Sequence, residues 1–419
     1  MAGAPMRVAI IGNGLASVCV ANGLKDNPRF QVDIFEGSDG SWVQGQAFGL
    51  GSNAQRALEL LNPELRRALD DAGGTVLPRS AKIGTGPHAG EFIAYLDNTS
   101  PQIVVGRGVF QREINKTIPG IPITTNAKVA RVEPGTSDGS PATVHFENGK
   151  SLEFDAVIGG DGLNSVVRSA VLGADNPATK PRGMGGFNMR IVVPLEKAIE
   201  AFGKEHCEED IQTGWVGDGG FLLTDKLDNG QSMQVIAGWK ERPSTGTGWP
   251  YEEPFHEWSK DEVAEDLRGW GNIGKGMAKL FAEQEKLYAA AARSHIGTTT
   301  YSNGNACTIG DAAESFAPAR GAGAGQAIED ALLLQTVLNQ VESKADIPKA
   351  MMVYDRVRRP RRSEVARQSN EAGLLLCGRS DAGVDKKKLK KKFENWNAFI
   401  YDYNLEGMMQ EGEKAMQGA

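Results

Sequence analysis

Arg7-Val-Ala-Ile-Ile11, followed by Gly12-Asn13-Gly14-Leu15-Ala16-Ser17 and closed by an acid at Glu36, decides the fold of this chain. The apolar run suits a buried parallel strand. Gly12 allows the tight turn that follows. Gly14 lets the backbone approach a pyrophosphate, which then sits at the N-terminus of a helix beginning at Leu15 and Ala16. Leu15 to Lys25 reads as that helix and Phe30 to Phe35 as the second strand. A carboxylate about 20 residues past the first glycine accepts hydrogen bonds from ribose hydroxyls, and Glu36 stands there. An acid there disfavours a 2′-phosphorylated nucleotide. Ser17 replaces the third glycine of the fingerprint and is small enough for close helix–strand packing. The segment implies a dinucleotide site in a Rossmann-like α/β domain.

Two more glycine-bearing segments follow at long range. One is Ile158-Gly-Gly-Asp161-Gly162-Leu-Asn-Ser165-Val-Val-Arg168. The other is Ile309-Gly310-Asp311-Ala-Ala-Glu314-Ser-Phe-Ala-Pro318-Ala-Arg-Gly321-Ala-Gly323-Ala324-Gly325-Gln326. In this order and spacing the three exclude most other readings. Together they resemble a flavin-dependent aromatic hydroxylase of the p-hydroxybenzoate hydroxylase class, and within it the salicylate hydroxylase-like branch.

That resemblance implies non-covalent FAD, with NADH or NADPH as a transient co-substrate. Gly12, Gly14, Leu15, Ala16 and Glu36 would hold its pyrophosphate and ribose. Asp161 belongs to the motif associated with both FAD and NAD(P)H, and Asp311 to the one whose aspartate holds the ribityl chain. Pro318 would lie over the flavin ring. Gly321, Gly323, Ala324, Gly325 and Gln326 would face its pyrimidine end, where amides at a helix start can stabilise negative charge. Arg107, leading Arg107-Gly-Val-Phe110-Gln-Arg-Glu-Ile114, matches an arginine that contacts the cofactor. Phe48 to Ala54 resembles the loop near the isoalloxazine, and Tyr354 to Arg361 the family's signature helix.

The implied chemistry is reduction of FAD by NAD(P)H, reaction with O2 to a C4a-hydroperoxyflavin, and hydroxylation of an aromatic or phenolic substrate. The substrate would be salicylate-like or a secondary-metabolite intermediate. Only one dinucleotide fingerprint is present, as the class expects. An epoxidase, oxidase or reductase on the same fold is the alternative.

Two residues depart from the family pattern or leave its reading open. Glu314 stands where many relatives carry histidine. It could act as a base if partly buried, favour a cationic substrate, or face solvent. Arg190, in Phe187-Asn-Met-Arg190-Ile, could bind a substrate carboxylate, line the flavin, or form a surface ion pair. With Pro318, these are the candidate catalytic residues.

Composition is ordinary for a soluble globular protein. The 419 residues suffice for two or three domains, with 40% hydrophobic and 24% charged residues. The net charge of -7 disfavours nucleic acid as a partner. No apolar run approaches the roughly 18 residues of a membrane helix. Cys19, Cys207, Cys307 and Cys377 lie far apart, which argues against zinc or a redox dithiol, and five histidines with no close pair leave no metal constellation. A cytoplasmic monomer or homodimer is expected.

The fold class is α/β: a Rossmann-like FAD-binding domain with an inserted α+β substrate domain and C-terminal helices. Residues 1–175 read as FAD-binding, with 76–105 reaching into the substrate domain. Residues 176–300 read as the substrate domain, 301–375 as the second part of the FAD domain, and 376–419 as a helical segment. Asn148-Gly149 marks a hairpin. Glu262 to Arg293 reads as helical. Lys386 to Lys392 reads as a solvated helix whose aromatic side packs on the body; recruitment to an acidic membrane or partner is the rival reading.

Overall fold

The computed structural model describes residues 4–41, 47–96, 101–135, 139–242 and 246–418. The first strand, Met6–Ile11, lies between Phe30–Phe35 and Ala156–Gly159, parallel to both. Its buried apolar side chains leave only Arg7 exposed, as a strand covered on both faces requires. Ala306–Thr308 and Ile123–Thr124 extend the parallel sheet, and Ser302–Asn303 adds an antiparallel edge.

Helix Leu15–Leu24 packs between this sheet and helix Gly323–Leu338, buried along nearly its whole length. Ser17 is buried against Gly160, where an added Cβ would come within 2.1 Å of the Ser17 oxygen. The serine therefore fills the close contact that a third glycine would leave open.

The second layer is an eight-stranded sheet. Its order is Phe255–Glu257, Tyr288–Ser294, Arg182–Pro194, Ser232–Trp239, Gly220–Leu227, Gln212–Val216, Arg79–Ile83 and Phe92–Tyr95. Thus the stretch after Pro78 contributes two strands here. Side chains alternate across the sheet with period two. Phe187, Met189, Val235, Ala237 and Trp239 pack under helices Leu195–Phe202 and Gly271–Ala282. Arg190, Gln234 and Ile236 face the other way, towards the parallel domain.

One expectation fails in this layer. Glu262 to Arg293 is not continuously helical: helices Lys260–Asp266 and Gly271–Ala282 are followed by strand Tyr288–Ser294. Its alanine run pairs with Arg182–Pro194 and Phe255–Glu257, so tertiary pairing overrides alanine's helix propensity.

Helix Ile347–Leu376 runs 30 residues with Pro360 inside it and ties the halves together. Helix Lys386–Phe393 packs Leu389 and Phe393 against Ala81 and Ile93, with Asp385 as its N-cap. Lys386 pairs with Glu91 and Lys392 with Asp381. Among the described residues no helix is long and apolar enough to cross a membrane.

Candidate active site

A cavity of about 440 Å³ lies between the parallel domain and the eight-stranded sheet. Gly14, Leu15, Ala16, Arg107, Asp311, Pro318, Gly321, Gly323 and Ala324 line it. Three distant segments therefore meet in one place. Helices Leu15–Leu24 and Gly323–Leu338 both begin there. Neither has a side-chain cap or an acid in its first turn. Such ends leave backbone N–H groups for an anion or an electron-rich ring edge.

Gly12 turns the chain with φ of +90°, and an added Cβ would lie 2.6 Å from the Gly160 carbonyl oxygen. Only glycine fits this crossing. Glu36 accepts hydrogen bonds from the amide of Asn13 at 2.9 Å and of Ser38 at 2.8 Å. Burial raises its pKa, but those amides, the Ser38 hydroxyl and the Gly37 amide outweigh burial and hold it below the ordinary range.

The Asp161 carboxylate is taken by its own helix. It accepts from the Ser165 hydroxyl at 2.5 Å and from the Val166 amide at 2.8 Å. Arg168, buried beside it, donates to the carbonyls of Ala312 and Ala313 and to Thr298. The Asp161 motif thereby fixes the loop that carries Asp311. Asp311 itself is exposed in the cavity, with Arg362 at 3.9 Å. Gly310 is pinned from behind, its amide donating to Asp330 at 3.0 Å.

Asp330 belongs to a buried ion cluster. Arg358 binds Glu329 and Asp330, Arg361 forks onto Glu329, and Arg362 binds Asp330 and the Glu314 carbonyl. These contacts lock helix Gly323–Leu338, the Asp311 loop and helix Ile347–Leu376 into one unit.

Gly12, Glu36 and Asp161 stand behind the cavity without lining it, and three further candidates turn away from it. Gln326 is fully buried and spends its side chain on Glu329 and Arg358. Gly325 packs against Ala54 and Asn53, where a Cβ would approach to 3.3 Å. Neither lines the cavity. Glu314 is buried and accepts from Tyr301 at 2.5 Å and Ser363 at 3.0 Å. It lines neither this cavity nor its neighbour, so a base at Glu314 has no path to a ligand there.

The neighbouring cavity is about 340 Å³. Its walls are mostly apolar, including Leu96, Phe187, Trp215, Phe221 and Leu374. Arg79, Arg190, Gln212, Ile236 and Pro318 line both cavities and form a shared neck. Lys240 adds a third cation, its ammonium donating to the Met184 carbonyl. Arg79 is braced by the Tyr401 hydroxyl at 2.7 Å. Arg190 is half-buried, and the loss of solvent lowers its pKa; Asp225 pulls it back up and Arg107 lowers it further.

Asp225, Gln212, Gln234 and Lys240 were not singled out by motif. Their signal is the polar residue at alternate positions of an otherwise apolar strand, as in Met233-Gln-Val-Ile-Ala237.

Known proteins align with this arrangement. The "FAD binding domain" family matches residues 117–369, and flavin-containing amine oxidoreductases match residues 20–159. The 6-methylsalicylate 1-monooxygenase of Aspergillus terreus is 32% identical over 88% of this chain and 83% of its own. The chain belongs to the FAD-dependent aromatic hydroxylases. Salicylate hydroxylase of Pseudomonas putida is 28% identical over 88% of this chain and 86% of its own. A salicylate hydroxylase substrate complex superposes with a TM-score of 0.82 at 24% identity, covering 98% of each chain.

The protein is thus an FAD-dependent monooxygenase that hydroxylates aromatic substrates, with NAD(P)H as co-substrate. The site suits the group: uncapped helix ends and the exposed Asp311 carboxylate line a cavity of ligand size, beside the glycine-only crossing of Gly12 over Gly160.

Proposed function

We propose that the substrate is a phenol bearing an acidic group, of the salicylate type. Its ring would occupy the apolar cavity and its carboxylate would meet Arg79, Arg190 and Lys240. The single observation that supports this is three cationic side chains, and no acid, lining a mostly apolar cavity among the described residues. The 6-methylsalicylate and salicylate enzymes among the relatives point to the same class.

In this reading each part of the site has a task. The uncapped helix ends and Arg107 receive the pyrophosphate and the pyrimidine edge of the flavin. Asp311 accepts hydrogen bonds from ribityl hydroxyls, Glu36 from ribose hydroxyls. Gly12 and Asp161 act on the cofactor through the backbone they shape. Bound FAD supplies reduction by NAD(P)H and activation of O2. The protein orients the substrate ring across the Pro318 neck and excludes water with its apolar walls. Arginine suits the neck because its planar fork matches a carboxylate.

The test is NAD(P)H oxidation by the holoenzyme with salicylate and 6-methylsalicylate, against their methyl esters and neutral phenols. The acids are expected to stimulate oxidation and yield hydroxylated product, and the esters much less. Equal stimulation by esters would refute recognition of the acid. Oxidation that no aromatic stimulates would favour a reductase or oxidase.

A further inference from the structure

Among the described residues, Asp225 is the only acid that the eight-stranded sheet contributes to either cavity. It is 3% exposed. Its Oδ1 accepts from the Gln212 side-chain amide, and its Oδ2 from that of Gln234 at 2.9 Å. The Gln234 amide is oriented by the Ala47 N–H, which donates to Gln234 Oε1 at 3.1 Å. Both donors therefore face the carboxyl. Arg79 and Arg190 attract its charge from two other strands of the sheet. Arg107 and Arg320 line the same cavity, and Asp311 is its second acid.

We propose that Asp225 is a proton-linked positioning residue: it takes up one proton when an anionic ligand enters between Arg79 and Arg190. The proposal rests on the acidic-substrate reading above. A carboxylate bound at the arginines would sit near a second buried carboxylate. Like charges in a low-dielectric neck cannot both stay ionised cheaply. Burial has already pushed Asp225 up to about 6, so it is the group that yields. The proton comes from solvent and an O–H bond forms on Asp225. That hydroxyl can then donate towards the anion, turning a repulsive neighbour into a donor. Asp225 thereby couples ligand affinity to pH and favours anions over neutral phenols at low pH.

The test is calorimetric titration of the holoenzyme with salicylate in buffers of different ionisation enthalpy. Near pH 7.5 the uptake is expected to approach one proton per ligand, with affinity falling towards tenfold per pH unit. Asp225→Asn is expected to show no uptake and a flat affinity. Salicylamide, which is neutral, should bind wild type without uptake. No uptake by wild type with salicylate, or equal uptake in Asp225→Asn, would overturn the proposal. If the variant does not hold FAD, a carboxylic-acid C=O infrared band arising in wild type on salicylate binding takes its place, and its absence counts against the idea.

Failure of salicylate to bind would overturn the acidic-substrate reading alone. Iodide, which needs only the positive neck, is then the probe. Proton-linked iodide binding upholds the role of Asp225; absence of iodide binding overturns it.

Discussion

Replacing Glu329 by glutamine removes one charge from the buried cluster while keeping its size. Glu329 accepts from Arg361 at 2.7 and 2.9 Å, from Arg358 at 3.0 Å and from Asn53 at 2.7 Å. Both arginines are buried and remain charged. In Glu329→Gln, Arg358 keeps only Asp330 as a carboxylate partner and Arg361 keeps none in the cluster. Breaking a buried ion pair from one side costs about 3–5 kcal/mol. At roughly 2–4 °C per kcal/mol for a domain of this size, the melting temperature should fall by roughly 6–20 °C. The assay is a thermal melt of the holoenzyme followed by circular dichroism and flavin fluorescence. Glu406→Gln is the control: its partner Arg56 is exposed, and such pairs contribute at most about 1 kcal/mol. Burial raises the Glu329 pKa, but Arg361 and Arg358 outweigh it and hold it below the ordinary range. The stability it confers is therefore present above the unfolded pKa and lost as pH falls through the folded one. The difference between the two proteins should stay constant from neutral pH down to the carboxylate range. A Glu329→Gln melt no lower than that of Glu406→Gln would refute the argument that this cluster holds the flavin loop.

Asp311→Ala should weaken FAD binding roughly 10- to 100-fold, the cost of losing charge-assisted hydrogen bonds; full flavin occupancy after dilution would sink that role. Gly12→Ala places a methyl against the Gly160 carbonyl oxygen, and purified protein should be colourless; a yellow variant would contradict the crossing geometry. Lys240→Met should raise KM for salicylate roughly 10-fold or more with a smaller change in kcat, and an unchanged KM would remove Lys240 from recognition. Asp225 carries a raised pKa, so its contribution to stability is present below the unfolded value and lost as pH rises through about 6. Asp225→Asn should therefore flatten the dependence of the urea midpoint on pH between about 4 and 6, an effect of at most about 3 kcal/mol. A variant as pH-sensitive as wild type would show that the titrating group lies elsewhere.

The flavin half was legible because its signals are local. A strand, a glycine turn and a helix leave marks at fixed spacing, and Asn148-Gly149 marks a hairpin that the structure forms between Ala142–Phe146 and Ser151–Phe154. The second half was less legible. Tyr288 to Ser294 is a strand only because Arg182–Pro194 lies beside it, and nothing local overrides four alanines. Glu314 follows a glycine-aspartate motif into the site in sequence, yet the turn after Asp311 points it inward to Tyr301 and Ser363. The arginines at 358, 361 and 362 read as a basic helix, but register with Glu329 and Asp330 buries all three. Asp225 acquires its importance from neighbours on four other strands, which no spacing rule reveals.

The most direct test of the central claim is a crystal structure of the holoenzyme with bound salicylate. The flavin ring is expected at the Pro318 neck, with the salicylate carboxylate within hydrogen-bond distance of Arg79, Arg190 or Lys240. A ligand ring in the apolar cavity with its carboxylate turned away from all three cations would contradict it.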